Sequence, residues 1–300
     1  MLTPREIIAQ AWTVTTTEPS LKWWGFTGSA LRLLLDIKLV GYQIYFLYSY
    51  TSGVEVGMFD DVTWLYHNAP LSVFWFIMIT FGILVISELF VPMFCDGAII
   101  GLAAKAHKKE RVSGGFVLGL YNFFPIFAIH ELFIFSGVNL LITAISIILR
   151  YGSGLEGFMI IIASILWLFS SILRFLGSFA EPAVVINKIG VFPAIGQSVK
   201  LTFSYPGHII FLILLLLIIT IRIFVNLVIL VLIPALVIGL GIVLTYFLTP
   251  MLSYTIAGVV ALILTLVAAY FFMYMHVFKE AVWTIMYVEL TSEKELDKIG

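Results

Sequence analysis

Apolar and polar positions along this chain are segregated into blocks. Apolar runs cover about 28–50, 71–95, 116–149, 158–180, 208–233 and 254–277, each long enough for the roughly 20 residues a helix needs to cross a hydrocarbon core. Runs such as Ile209–Ile221 lack a period of two, which excludes spanning strands and predicts helices. Residues 235–249 stay apolar behind Pro234, with Gly239 and Gly241, and read as a kinked or partly re-entrant extension of the fifth run. The first run carries Arg32, Asp36 and Lys38. Arg32 is expected to snorkel to the interface while Asp36 and Lys38 face the protein interior. The second run is expected to continue as helix to His107, with Gly97 and Gly101 forming a G-x-x-x-G step that permits close helix contact.

The intervals between runs carry their own pattern. Glu181–Pro206 holds a Glu-Pro break, Lys188 and a short helix opened by Pro193, with Phe192, Ile195, Val199 and Phe203 on one face. Gln197, Ser198, Lys200, Thr202 and Ser204 fall on the other faces, so the segment reads as an elbow lying on a membrane surface, apolar side down. Thr3-Pro4-Arg5-Glu6 predicts a helix start with Thr3 as cap and Glu6 closing a capping box. Trp12, Trp23 and Trp24 suit the headgroup layer.

Composition agrees with the pattern. Of 300 residues, 62% are hydrophobic and 11% charged, against roughly 45–50% and about 25% in soluble domains. The chain therefore reads as all-α and polytopic, a single integral membrane domain over 1–300. A net charge of −1 argues against nucleic acid as a partner, and Cys95 is the one cysteine, so no intrachain disulfide can form. Residues 1–20 lack the apolar core of a cleavable signal. Lys and Arg concentrate at the N-terminus, at 105–111, in the 181–206 elbow and at the C-terminus, while 51–69 and 245–253 hold none. Six spans with both termini cytoplasmic satisfy the positive-inside rule at every loop; seven would put Lys279, Lys294 and Lys298 outside.

Short internal likenesses suggest a repeat. Ala11–Pro19 (AWTVTTTEP) parallels Ser198–Pro206 (SVKLTFSYP), and Asp96-Gly-Ala-Ile-Ile parallels Glu181-Pro-Ala-Val-Val, with Glu280-Ala281-Val282 as a looser third copy. The predicted unit is an elbow plus a helical hairpin, three times over, at roughly 1–110, 111–190 and 191–300. The segment EPAVVINKIGVFPAIGQSVKLTFSYPGHIIFL and the order of the runs resemble a superfamily of uncharacterised six-helix prokaryotic membrane proteins. That superfamily includes the membrane domain fused to some glycerophosphoryl diester phosphodiesterases. The resemblance implies a six-helix fold in the cell (cytoplasmic) membrane and no known activity. The chain has no room for the soluble barrel that performs the phosphodiester chemistry, so that activity is not carried over.

Intramembrane charges are the candidate functional residues, because a charge near the bilayer centre costs on the order of 3 kcal/mol. Depth along the helices matches Glu88 with Arg174, and Glu131 with Arg222, and two interior ion pairs are expected there. These pairs fix which helices touch, or line a polar pathway with His130, Asn139 and Asn226. No spacing fits a metal site, and no catalytic triad, intramembrane protease signature, cofactor motif or phosphate-binding loop is visible. Lys105, Lys108, Lys109 and Arg111 read as a topology determinant or a surface for anionic headgroups, each contributing ~1 kcal/mol. The expected function is a non-catalytic membrane scaffold or accessory protein that contacts lipids or membrane partners. The alternative is a transporter or permease for a small solute or lipid.

Overall fold

The computed structural model describes residues 2–53, 57, 59–151, 154–207, 209–211, 213, 214, 217, 237 and 239–296. Among them all regular structure is helical. The named helices are α1 (Pro4–Thr17), α2 (Pro19–Thr51), α3 (Asp60–Asn68), α4 (Leu71–His107), α5 (Gly115–Leu132), α6 (Val138–Tyr151), α7 (Glu156–Leu176), α8 (Ala180–Asn187), α9 (Val191–Ser204) and α10 (Pro250–Leu296). Among the described residues, four stretches are long and apolar enough to cross a membrane: Leu71–His107, Gly115–Leu132, Glu156–Asn187 and Thr255–Ser292. α2 is long enough at 33 residues, but Arg32, Asp36 and Lys38 interrupt its apolar character. The second apolar run continues to His107 as expected. The third breaks: α5 ends at Leu132, a 3-10 turn occupies Ile134–Ser136, and α6 starts at Val138. Ser136 makes the break stable. Its hydroxyl donates to the Phe133 carbonyl at 2.6 Å, and its own carbonyl accepts from Trp167 Nε1 of α7 at 3.1 Å. Most of the fifth run, with Arg222, Asn226 and Pro234, lies outside the described residues.

The described helices divide into a packed end and an open end. Residues 98–104 of α4 and most of 277–290 of α10 are buried, with Ile7, Ala11 and Val14 of α1 and Ala194 and Leu201 of α9 in the same core. By contrast α7 buries none of its residues, and Trp75, Phe76, Ile79, Ile83 and Ile86 of α4 are exposed. Apolar surface of that extent is what lipid tails cover. Among the described helices, α2, α4 and α10 pack on one another, α5 packs on α4, and α6 packs on α2 and α7. The Gly97–Gly101 step makes the α4–α5 contact: a Cβ at Gly97 would meet Ile126 at 3.1 Å, and one at Gly101 would meet Leu118 at 2.9 Å. Gly119 completes the contact, because a Cβ there would lie 2.7 Å from the Phe94 carbonyl oxygen.

Helices α1 and α9 share a burial register. α1 buries Ile7, Ala11, Val14 and Thr15; α9 buries Ala194, Ser198, Leu201 and Thr202. The two sets coincide when Ala11 is laid on Ser198. α5 opens with the same spacing in Gly115, Gly119 and Asn122. Phe192 and Phe203 of α9 point outward, 78% and 71% exposed. α9 therefore turns Phe192 and Phe203 outward and small residues inward. Ser198, grouped by the sequence with the polar faces, is wholly buried. Its hydroxyl donates to the Leu176 carbonyl at 2.7 Å and accepts the Phe179 amide at 2.9 Å, tying the junction of α7 and α8 to α9.

The capping box at α1 forms as expected: the Thr3 amide and hydroxyl both donate to Glu6 Oε2, at 2.7 and 2.8 Å. At its other face α1 is joined to the C-terminal helix, since the Leu2 amide donates to Glu289 Oε2 at 3.0 Å and His107 Nε2 lies 3.1 Å from Glu289 Oε1. The basic segment ends α4 in a Schellman turn, with the Glu110 amide on the Lys105 carbonyl, the Lys109 amide on the Ala106 carbonyl and Lys109 left-handed at φ 56°.

Two outcomes test this packing. Ser198→Ala leaves the Phe179 amide and the Leu176 carbonyl without their partner and should cost about 1–3 kcal/mol, read as a lowered midpoint of thermal unfolding in detergent. The Thr3 amide and hydroxyl, accepted by Glu6, hold its carboxyl below the usual carboxylate range. The box is then fully formed above the unfolded value of about 4.3 and is lost as pH falls through the lower folded value. Hydrogen exchange in α1 should therefore separate wild type from Glu6→Gln at pH 6 and converge in strong acid.

Candidate functional site

Three helices that are far apart in sequence meet at one buried carboxylate. Asp96 of α4 accepts from Arg32 of α2 at 2.9 Å, and its second oxygen lies 2.7 Å from His276 Nε2 of α10. Arg32 also reaches His276 Nδ1 at 3.3 Å. A guanidinium can only donate, so Nδ1 accepts and Nε2 carries the proton that is donated to Asp96. The trio is thus a closed ring of complementary contacts that orients the imidazole. The Asp96 side chain is 6% exposed and that of Arg32 36%; the arginine's remaining surface faces two adjoining cavities.

The first cavity, about 90 Å³, is polar. Arg32, Asp96, His130, Arg174, Ser178, Glu181, Lys279 and Glu280 line it, with Ile129, Phe133, Gly177 and Trp283. Asp96, Glu181 and Glu280, the acidic residues of the three short sequence likenesses, all face it. Helix ends supply two of its charges. Arg174 lies in the last turn of α7 and Glu181 in the first turn of α8, where the partial charges of each helix end favour that sign. Arg174 donates to Ser136 Oγ at 3.4 Å, and Lys279 lies 4.0 Å from Glu280. His130 Nδ1 is buried with no hydrogen-bond partner among the described residues.

The second cavity, about 270 Å³, is mainly apolar and runs between α2, α6 and α10. Ser29, Leu33, Asp36 and Val40 form one stripe of α2 along it, facing Phe272 and Met275; Arg32 and Lys279 belong to both cavities. Asp36 accepts a short hydrogen bond from Asn139, and Gln43 donates to Thr143 at 3.2 Å, so a polar seam holds α6 against α2 beside this groove. The Ser29 hydroxyl is buried and unpartnered among the described residues.

The charge pairing differs from the sequence expectation. Glu88 pairs with Lys38 at 2.5 Å and not with Arg174. Residue depth along a helix is visible in the sequence, but the angle at which each helix faces its neighbours is not. Since α2 packs on α4, Lys38 meets Glu88, while Arg174 turns toward the polar cavity. Arg32 does not snorkel, because Asp96 and His276 hold it inside. Asp36 and Lys38 do face protein, as expected. Glu131 is exposed, and Arg222 lies outside the described residues, as does Asn226. His130 and Asn139 fall in different places, the first on the polar cavity and the second on the groove. Of the basic segment, Lys105 donates to the Ser113 carbonyl at 2.9 Å, whereas Lys108, Lys109 and Arg111 are exposed. Sequence reasoning did not single out His276, Lys279 or Arg32 as site residues; the acid-x-Ala likeness at Asp96 and Glu181, with its looser copy at Glu280-Ala281-Val282, was the signal that pointed here. Among the described residues, no three His, Cys, Asp or Glu side chains come together to hold a metal ion.

Asp96→Asn strips Arg32 of its counter-charge and should destabilise the protein by about 2 kcal/mol or more. Arg32→Leu combined with Asp96→Leu should recover part of that loss; unfolding midpoints in detergent measure both. No protein-family model, curated protein or solved structure matches the chain.

Proposed function

We propose that the protein is a non-catalytic, lipid-handling component of the cell membrane that holds one amphiphile at the cytoplasmic surface. On this reading the chain crosses the membrane six times as three elbow-and-hairpin repeats, with both termini cytoplasmic. The likeness to the six-helix prokaryotic superfamily, the shared burial register of α1, α9 and the start of α5, and the distribution of Lys and Arg support that arrangement.

The observation that carries the functional reading is a polar cavity and an apolar groove that share Arg32 and Lys279. Such a pair of compartments suits a molecule with a charged head and a hydrocarbon tail. Their level fits as well. Asp96 follows Leu71 by 25 positions in one helix, or about 38 Å, past a hydrocarbon core of about 30 Å. The polar cavity then stands at headgroup depth. From Ser29 to Val40 the groove climbs about 16 Å along α2 towards the opposite leaflet. Charges that serve packing alone would be sealed by their partners; here they border open volume, which favours ligand handling over a purely structural role. Transport of the same ligand is the second reading, favoured by that open volume.

Native mass spectrometry of protein released from membranes in a mild non-ionic detergent tests the proposal. A retained phospholipid is expected at a ratio of about one, and Val40→Trp, which fills the groove, should lower its occupancy several-fold while the protein stays folded. Equal occupancy in wild type and Val40→Trp would sink the proposal.

A further inference from the structure

The charges around the polar cavity are not equally committed. Asp96 is taken by Arg32 and His276, and Lys279 has Glu280 beside it. Arg174 and Glu181 are left: neither is in an ion pair among the described residues, and Glu181 accepts no hydrogen bond there, yet both line the cavity. A cation and an anion left open toward one small volume form a matched pair of recognition elements. Resting on the amphiphile reading above, we infer that the headgroup admitted is a phosphate–ammonium zwitterion, its phosphate on Arg174 and its ammonium on Glu181.

Three physical points lead there. A purely anionic headgroup would satisfy Arg174 and bring a like charge against Glu181; a purely cationic one would do the reverse. Each wrong ligand is rejected by the charge it leaves unpaired, which discriminates more sharply than a missing contact does. The planar fork of Arg174 matches two phosphate oxygens, and the unpartnered Nδ1 of His130 borders the same space. Finally, about 90 Å³ holds roughly six water-sized groups, the scale of a phosphate carrying a short amine. A sugar-bearing headgroup is larger.

Full-length protein in non-ionic detergent, titrated with single-chain probes of equal acyl length, tests the inference by native mass spectrometry. The probes are lysophosphatidylethanolamine (zwitterion), lysophosphatidylglycerol (anion), an alkylamine (cation) and a monoacylglycerol (neutral), with water-soluble O-phosphoethanolamine as the tail-less arm. The zwitterion is expected to bind about tenfold tighter than each of the other three lipids. Arg174→Gln should erase its advantage over the cation, and Glu181→Gln its advantage over the anion. If the lipid probes bind without regard to headgroup, or the anion binds as tightly as the zwitterion, the zwitterion inference is overturned and the amphiphile reading stands. If no lipid probe binds, or O-phosphoethanolamine binds as tightly as its acylated counterpart, the amphiphile reading itself is overturned. The wild-type series decides the matter even where a variant does not fold.

Discussion

Opposite charges inside a low-dielectric bundle must find one another, and that requirement governs how these helices sit. Asp96, almost fully withdrawn from solvent, would be prohibitively costly as a lone carboxylate. It is tolerable because Arg32 and His276 converge on it from helices α2 and α10, which fixes the rotation and height of three helices at once. About one turn further along α2 the Asn139 amide satisfies Asp36, and nearly two turns along Lys38 pairs with Glu88. Dispersion between apolar side chains alone would allow these helices to slide or turn, since lipid tails offer equivalent contacts. The polar contacts remove that freedom.

With the helices so registered, the molecule separates into regions of different character. Below Asp96 and Glu280 the chain packs as a soluble domain does, with α1 set against the buried lower halves of α4 and α10, and α9 packed on α8. On the other side, helices present apolar surface outward and make few contacts. The cavities lie at the boundary between those regions, where tight packing gives way. Two helix ends, that of α7 and the beginning of α8, are turned into this boundary by the bridging hydroxyl of Ser198, which explains how Arg174 and Glu181 come to face the same space.

Class, helix content and the approximate bounds of most helices were legible in the chain, because apolar block length and capping chemistry are local properties. The Thr3–Glu6 box, the helix to His107 and the Gly97–Gly101 contact needed no more than that. Pairing was less legible. Glu88 and Arg174 lie at similar depths, yet depth is one coordinate of three, and helix rotation depends on neighbours that no local pattern names. The break at Phe133–Gly137 was hidden for a related reason: its partner is Trp167, thirty-one positions downstream of Ser136, so the turn is stabilised from outside its own segment. The convergence of Asp96, Glu181 and Glu280 was half visible, as an acid-x-Ala step at the first two and a looser acid-Ala copy at the third, whose meaning needed three dimensions.

The contact of α1 with α10 has an implication for how the molecule is made. α1 is synthesised well before α10, yet most of the surface it covers belongs to that helix, and the Glu289 carboxylate that accepts the Leu2 amide lies 287 positions later. As the ribosome delivers the chain, α1 lacks its main docking site and rests at the bilayer surface, which exposed Trp12 and Trp23 suit. Closure of the base is therefore a late event, coupled to the arrival of α10, and a nascent chain arrested before that point would keep its earlier helix contacts but lack a finished base.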